Sequence, residues 1–169
     1  MNIQQMLDNA VQADRQKELT VSDQLLLGEL ILKLEAVKDK SKPLFIDTGD
    51  RPMGVDSYRG IYRELAIQTE RKGRYYGDIK ETTEYGDIHE RIYIGKENPT
   101  VSEWIEVLKE AIGKTFEGYK GGDFTMSKNT PVWLAEWGDS GFGKEYELIY
   151  FVDVQELDDK VEIVTYIKS

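Results

Sequence analysis

Hydrophobic periodicity changes character along this chain, and that change limits the possible architecture more than any other property. Ile3, Met6, Leu7, Ala10 and Val11 recur at i, i+3, i+4, i+7 and i+8, the spacing of an amphipathic helix. Thr20, with Asp23 three residues on, offers an N-cap ahead of Leu25, Leu26, Leu27, Leu30, Ile31, Leu32 and Leu34, a wide apolar face. Lys38 and Lys40 suit the negative pole of that helix, Pro43 ends it, and Leu44-Phe45-Ile46 reads as a short strand. Thr48 to Gly54 is a loop by its glycine and proline content. Ser57 then caps a short helix with Tyr58, Ile61, Tyr62 and Leu65 along one face. Behind Pro99, Thr100 and Glu103 form a capping box, and Val101, Trp104, Ile105, Leu108 and Ile112 carry the helical stripe to Gly113. Beyond it the pattern becomes strand-like over Pro131–Trp137, Tyr146–Val154 and Lys160–Ile167, with turns at 139–143 and 156–159. The sequence therefore predicts an α+β fold, a helix-rich N-terminal half packed on a C-terminal antiparallel sheet.

A chain of 169 residues can bury one core, and a single domain over 1–169 is expected. Residues 69–98 break the pattern. They are polar and tyrosine-rich, and Tyr76-Gly77-Asp78-Ile79-Lys80-Glu81 returns as Tyr85-Gly86-Asp87-Ile88-His89-Glu90, which reads as paired strands or, preferably, a surface insertion. The net charge of -10 argues against general affinity for DNA, RNA or an anionic membrane. The chain has no cysteine and one histidine, His89, which removes thiol nucleophiles, disulfides and His-pair metal motifs. No apolar run approaches a membrane span and the start lacks a signal-peptide pattern, so a cytoplasmic protein is expected.

Two short segments carry the functional reading. Phe116-Glu117-Gly118-Tyr119-Lys120-Gly121-Gly122-Asp123-Phe124 follows the second well-marked helix and precedes a strand, so it is expected to be a loop. Its glycines let the backbone approach a ligand and can turn N–H groups into an anion-binding concavity. Ser57-Tyr58-Arg59-Gly60-Ile61-Tyr62 places Arg59 in a helical first turn, with Arg63 four residues on. A phosphate would take guanidinium, ammonium and backbone N–H donors. The expected ligand-binding set is Ser57, Tyr58, Arg59, Tyr62, Arg63, Tyr119, Lys120, Gly121, Gly122 and Trp133. Tyr119 is the favoured stacking partner, while core packing is the default for Trp133. Neither segment fits a Walker loop or a dinucleotide fingerprint. No catalytic constellation, metal site or cofactor is expected. The carboxylates of residues 136–162, nine against Lys144 and Lys160, read as a solvated acidic face.

Ser57-Tyr58-Arg59-Gly60 with Tyr62, Leu65 and Ala66, then Gly113-Lys114-Thr115-Phe116 running into Gly118–Gly122, Phe124 and Met126, then Thr130-Pro131-Val132-Trp133 with Gly138, resemble a family of small phage-encoded accessory proteins. The resemblance covers about residues 20–68 and 99–166, and residues 69–98 depart from it. It implies a phage origin and an anti-defence role in the host cytoplasm. The expected function is non-enzymatic sequestration of a phosphate-bearing nucleotide signal, a cyclic nucleotide or an ADP-ribose derivative, by a protein able to form homo-oligomers. The alternative is an acidic inhibitor that binds a host defence protein, a nuclease or effector, directly.

Overall fold

A computed structural model describes residues 23–56, 64–69, 80–82, 88–90, 92–93, 98–118, 122–135 and 148–168. Within them are two helices, α1 (Leu27–Glu35) and α2 (Val101–Ala111). The strands are β1 (Leu44–Ile46), β2 (Pro52–Asp56), β3 (Leu65–Thr69), β4 (Lys80–Thr82), β5 (Ile88–Glu90), β6 (Ile92–Tyr93), β7 (Thr115–Gly118), β8 (Gly122–Thr125), β9 (Val132–Ala135), β10 (Leu148–Glu156) and β11 (Val161–Lys168). Seven of them form one sheet in the order β1-β11-β10-β9-β3-β2-β6, and β4–β5 and β7–β8 are separate two-stranded ribbons. The large sheet curls until its edge strand β1 approaches β2, giving a nearly closed, barrel-like form.

This overturns the expected helix-rich N-terminal half on an antiparallel sheet. Residues 44–93 supply six of the eleven strands, and the sheet is mixed, because β1 runs parallel to β11 and β3 parallel to β9. The 3.6-residue spacing that joined Leu65 to Tyr58, Ile61 and Tyr62 is too short to separate helix from strand. Leu65, Ala66 and Ile67 instead alternate across a strand, held by pairing with β9, which lies far away in sequence. Pro52 to Gly54, expected in a loop, opens β2; proline is tolerated at the first residue of a strand. The loop shrinks to a tight turn, in which the Ile46 N–H donates to the Asp50 carbonyl and Gly49 adopts a φ of 92°.

The helix expected from Thr20 is shorter than its leucine pattern. Leu25 is not helical: its N–H donates to Phe151 O (2.7 Å) and its carbonyl accepts from Val132 N–H (3.0 Å), so it stands as a wedge between β10 and β9. α1 starts only at Leu27, with Glu29 accepting from the Leu26 N–H at 3.0 Å. Leu27, Leu30, Ile31 and Leu34 enter the core, while Leu32 points away and is 67% exposed. The predicted helix at residues 3–11 lies outside the described residues.

α2 begins where the capping box places it. Thr100 Oγ1 accepts from Glu103 N–H at 3.2 Å, and Glu103 Oε1 accepts from Thr100 N–H at 3.2 Å. The loop before β1 completes the cap, since the carbonyls of Lys42 and Lys40 accept from Val101 and Ser102 N–H. Val101, Trp104, Ile105, Leu108 and Ala111 are buried against α1 and the sheet face that carries Leu65, Ile67, Val132, Leu134, Ile149, Phe151, Val161 and Ile163. Across β10–β11 a bulge between Phe151 and Asp153 shifts the register, and the buried Asp153 carboxylate pairs with Lys33 of α1 at 3.0 Å.

Candidate functional site

The glycine-rich segment is a hairpin, not the expected loop. Gly113 ends α2 with a φ of 84°, a left-handed conformation that glycine adopts without steric cost. Its N–H donates to Met126 O (2.8 Å), and Met126 N–H donates back to Lys114 O (2.9 Å). Above that clasp the ladder runs Thr115↔Thr125, Phe116↔Phe124, Glu117↔Asp123 and Gly118↔Gly122, with the two threonine hydroxyls 2.9 Å apart. Met126 is buried in the helix-side core and Phe124 packs against it, so the base is anchored. Gly118 and Gly122 are direct partners. Tyr119, Lys120 and Gly121 connect them and lie outside the described residues. Strand β5, which carries His89, runs beside β7, so part of the polar stretch 69–98 adjoins the hairpin.

Ser57, Tyr58, Arg59, Tyr62 and Arg63 also lie outside the described residues. The strands on either side of them are well placed. Asp56 at the end of β2 pairs with Ala66 of β3, so residues 57–64 connect adjacent antiparallel strands at one end of the sheet. At that end the Leu65 N–H donates to Pro131 O at 2.9 Å. Pro131 is the residue before β9, five positions beyond the Met126 clasp. Residues 57–64 thus leave from the end of the large sheet at which β9 begins, and the separate β7–β8 ribbon joins β9 through residues 126–131.

Trp133 takes a different position. On the sheet face opposite the helices, Ala66, Trp133, Tyr150 and Tyr166 form a straight cross-strand row over β3, β9, β10 and β11. Trp133 is 2% exposed, and its Nε1 has no hydrogen-bond partner among the described residues. Of the expected ligand-binding set, then, Gly122 extends from a hairpin rooted in the helix-side core and Trp133 is buried on the other face. The structure does not bring those two together.

A carboxyl that sequence reading passed over lies at the end of the sheet where β9 begins. Glu64 accepts from Gln24 Nε2 at 3.1 Å, and the same amide donates to Val132 O at 3.1 Å. Its other oxygen, Oε2, is buried without a partner among the described residues. Burial raises the Glu64 pKa, partly offset by the Gln24 hydrogen bond. Burial, with the Glu64 charge nearby, raises that of Tyr150. No local pattern marks Glu64 or Gln24, because each matters only through strands brought together by the fold.

Three of the five carboxylates after residue 147 are engaged within the chain, and those at 136–147 lie outside the described residues. Glu156 accepts from Lys42 Nζ (2.9 Å), Lys38 N–H (2.8 Å) and Asp39 N–H (3.2 Å). These bonds, led by Lys42, hold its pKa down at about 2. Asp153 pairs with Lys33, and Glu162 with Lys160 at 3.4 Å and Gln155 at 2.9 Å. Among the described residues no three His, Asp or Glu side chains group as metal ligands. Nor is any helix among them long and apolar enough to cross a membrane. No protein-family model, curated protein or solved structure matches this chain.

Proposed function

We propose that the protein binds a phosphate-bearing nucleotide, a cyclic nucleotide or an ADP-ribose derivative, and sequesters it without chemistry, as a phage antagonist of host defence signalling. The observation that carries the reading is the Leu65–Pro131 hydrogen bond. It ties the end of the Arg59-bearing connection to the strand that follows the glycine hairpin. Arg59 and Lys120 neutralise phosphate in this reading, Gly121 and Gly122 offer backbone donors, and Tyr119 stacks on the base. Four residues from the Met126 clasp to Gly122 span about 13 Å of strand, a reach the seven residues of 57–63 can match.

Sequestration requires about nanomolar affinity, roughly -12 kcal/mol. At about -0.3 kcal/mol per heavy atom that takes a ligand of about 40 atoms, the size of a cyclic dinucleotide or an ADP-ribose conjugate. The alternative, an acidic surface that covers a basic host protein, is less well supported, because Asp153, Glu156 and Glu162 are already paired with lysines of this chain. Titration calorimetry against a panel of cyclic nucleotides and ADP-ribose derivatives decides the matter. Tight binding of one of them supports the reading, and no heat with any of them ends it. Arg59→Ala should weaken that binding at least about tenfold, about 1.4 kcal/mol, and leave the melting temperature unchanged.

A further inference from the structure

α1, α2 and the turn at 127–130 enclose an open groove of about 470 Å³. Its lining is apolar where Leu26, Ile31, Leu32 and Ile112 meet, and Glu29, Glu35, Lys109 and Lys128 stand around it. The Lys109–Glu35 pair at 3.2 Å ties the two helices together. Leu32 is among the few large apolar side chains left exposed in the described residues, at 67%. An open trough with an apolar floor beside an outward leucine is a candidate docking surface.

We propose that the occupant is this chain's own segment 3–11, docked as a helix with Ile3, Met6, Leu7, Ala10 and Val11 in the groove. Three observations converge on that segment. Its five apolar residues fall on one helical stripe, and nine helical residues extend about 13 Å, the length of α1 against which they would lie. The chain re-enters the described structure at Asp23, three residues before Leu26, the first residue lining the groove. A tether anchored at the groove itself gives a millimolar-range effective concentration, so a modest apolar face suffices. The eleven residues 12–22 span up to about 36 Å, more than the groove's length, so they can return the segment alongside α1. A second copy of the chain fits less well. Antiparallel packing about Leu32 would set Glu29 of one copy against Glu35 of the other, two like charges in an apolar contact.

The absence of cysteine makes the test direct. The pair Leu7→Cys with Leu32→Cys should close under mild oxidation into a monomeric, intrachain disulfide. The pair Asn9→Cys with Leu32→Cys, with Asn9 on the opposite side of the segment, should not. Amide exchange in the unmodified chain should show residues 3–11 protected, and Leu32→Glu should abolish that protection. Disulfide-linked dimers would assign the groove to a second copy. Failure of the Leu7 pair to close, equal closure of the Asn9 pair, or unprotected amides at 3–11 would each overturn the proposal.

Discussion

The hairpins β7–β8 and β10–β11 share an antiparallel ladder and differ in what their side chains do with it. β10–β11 pairs from Leu148↔Lys168 to Glu156↔Val161, sends Ile149, Phe151, Val161 and Ile163 into the helix-side core, and lays Tyr150 and Tyr166 on the other face. β7–β8 has four pairs, anchors itself by Met126 and Phe124 at one end, and finishes on two glycines. Apolar residues on alternate positions give the first hairpin its stability. The second is anchored at its base, where Met126 and Phe124 join the helix-side core. The two ribbons thus differ in how much of the core they carry.

That difference can be attacked at three points. Phe151 is fully buried, so Phe151→Ala should cost about 3–5 kcal/mol in denaturant unfolding; a loss under about 1 kcal/mol would show that the long hairpin is not the stabilising one. Thr115→Ala removes an exposed hydroxyl pair from the short hairpin and should cost no more than about 1 kcal/mol, leaving ligand binding intact. Global unfolding of that variant would contradict a peripheral ribbon. Smallest at neutral pH is the effect at the β10–β11 turn. Glu156 has a folded pKa lowered from 4.5 to about 2, so its contribution is complete above about 4.5 and lost as pH falls towards 2. Acid titration of Glu156→Gln should therefore converge with the parent protein across that window and coincide with it near pH 2. Parallel curves would mean that the lysine and backbone donors around Glu156 do not hold the turn.

The unequal legibility of the two helices has a physical cause. α2 was readable because its start is local chemistry: Thr100 and Glu103 satisfy each other's backbone donors within one turn. Its stripe runs three turns, long enough for a 3.6 period to stand out. α1 was overextended because Leu25 and Leu26 continue the leucine run, yet the backbone of Leu25 is claimed by Phe151 and Val132, more than 100 residues away in sequence. The same cause hid β2 and β3. Their three to five informative residues fit either period, and pairing of β3 with β9 and of β2 with β3 and β6 decides. Among the candidate site residues, the glycines of the hairpin were visible by type, but that Gly118 faces Gly122 was not. Glu64 and Gln24 gave no signal, since their hydrogen bond joins positions forty residues apart.

What the amino-acid order determined by itself is whatever closes within a turn or two: the cap and stripe of α2, its end near Gly113, and the strand character and turn of β10–β11. Only the tertiary structure decided that the N-terminal half joins the sheet, that two strand pairs run parallel, and that residues 57–64 leave from the end of the sheet where β9 begins. Short-range hydrogen bonds and long periodic stripes are written in neighbouring residues. The pairing of short strands is chosen by burial against partners far along the chain, a competition that no local window contains.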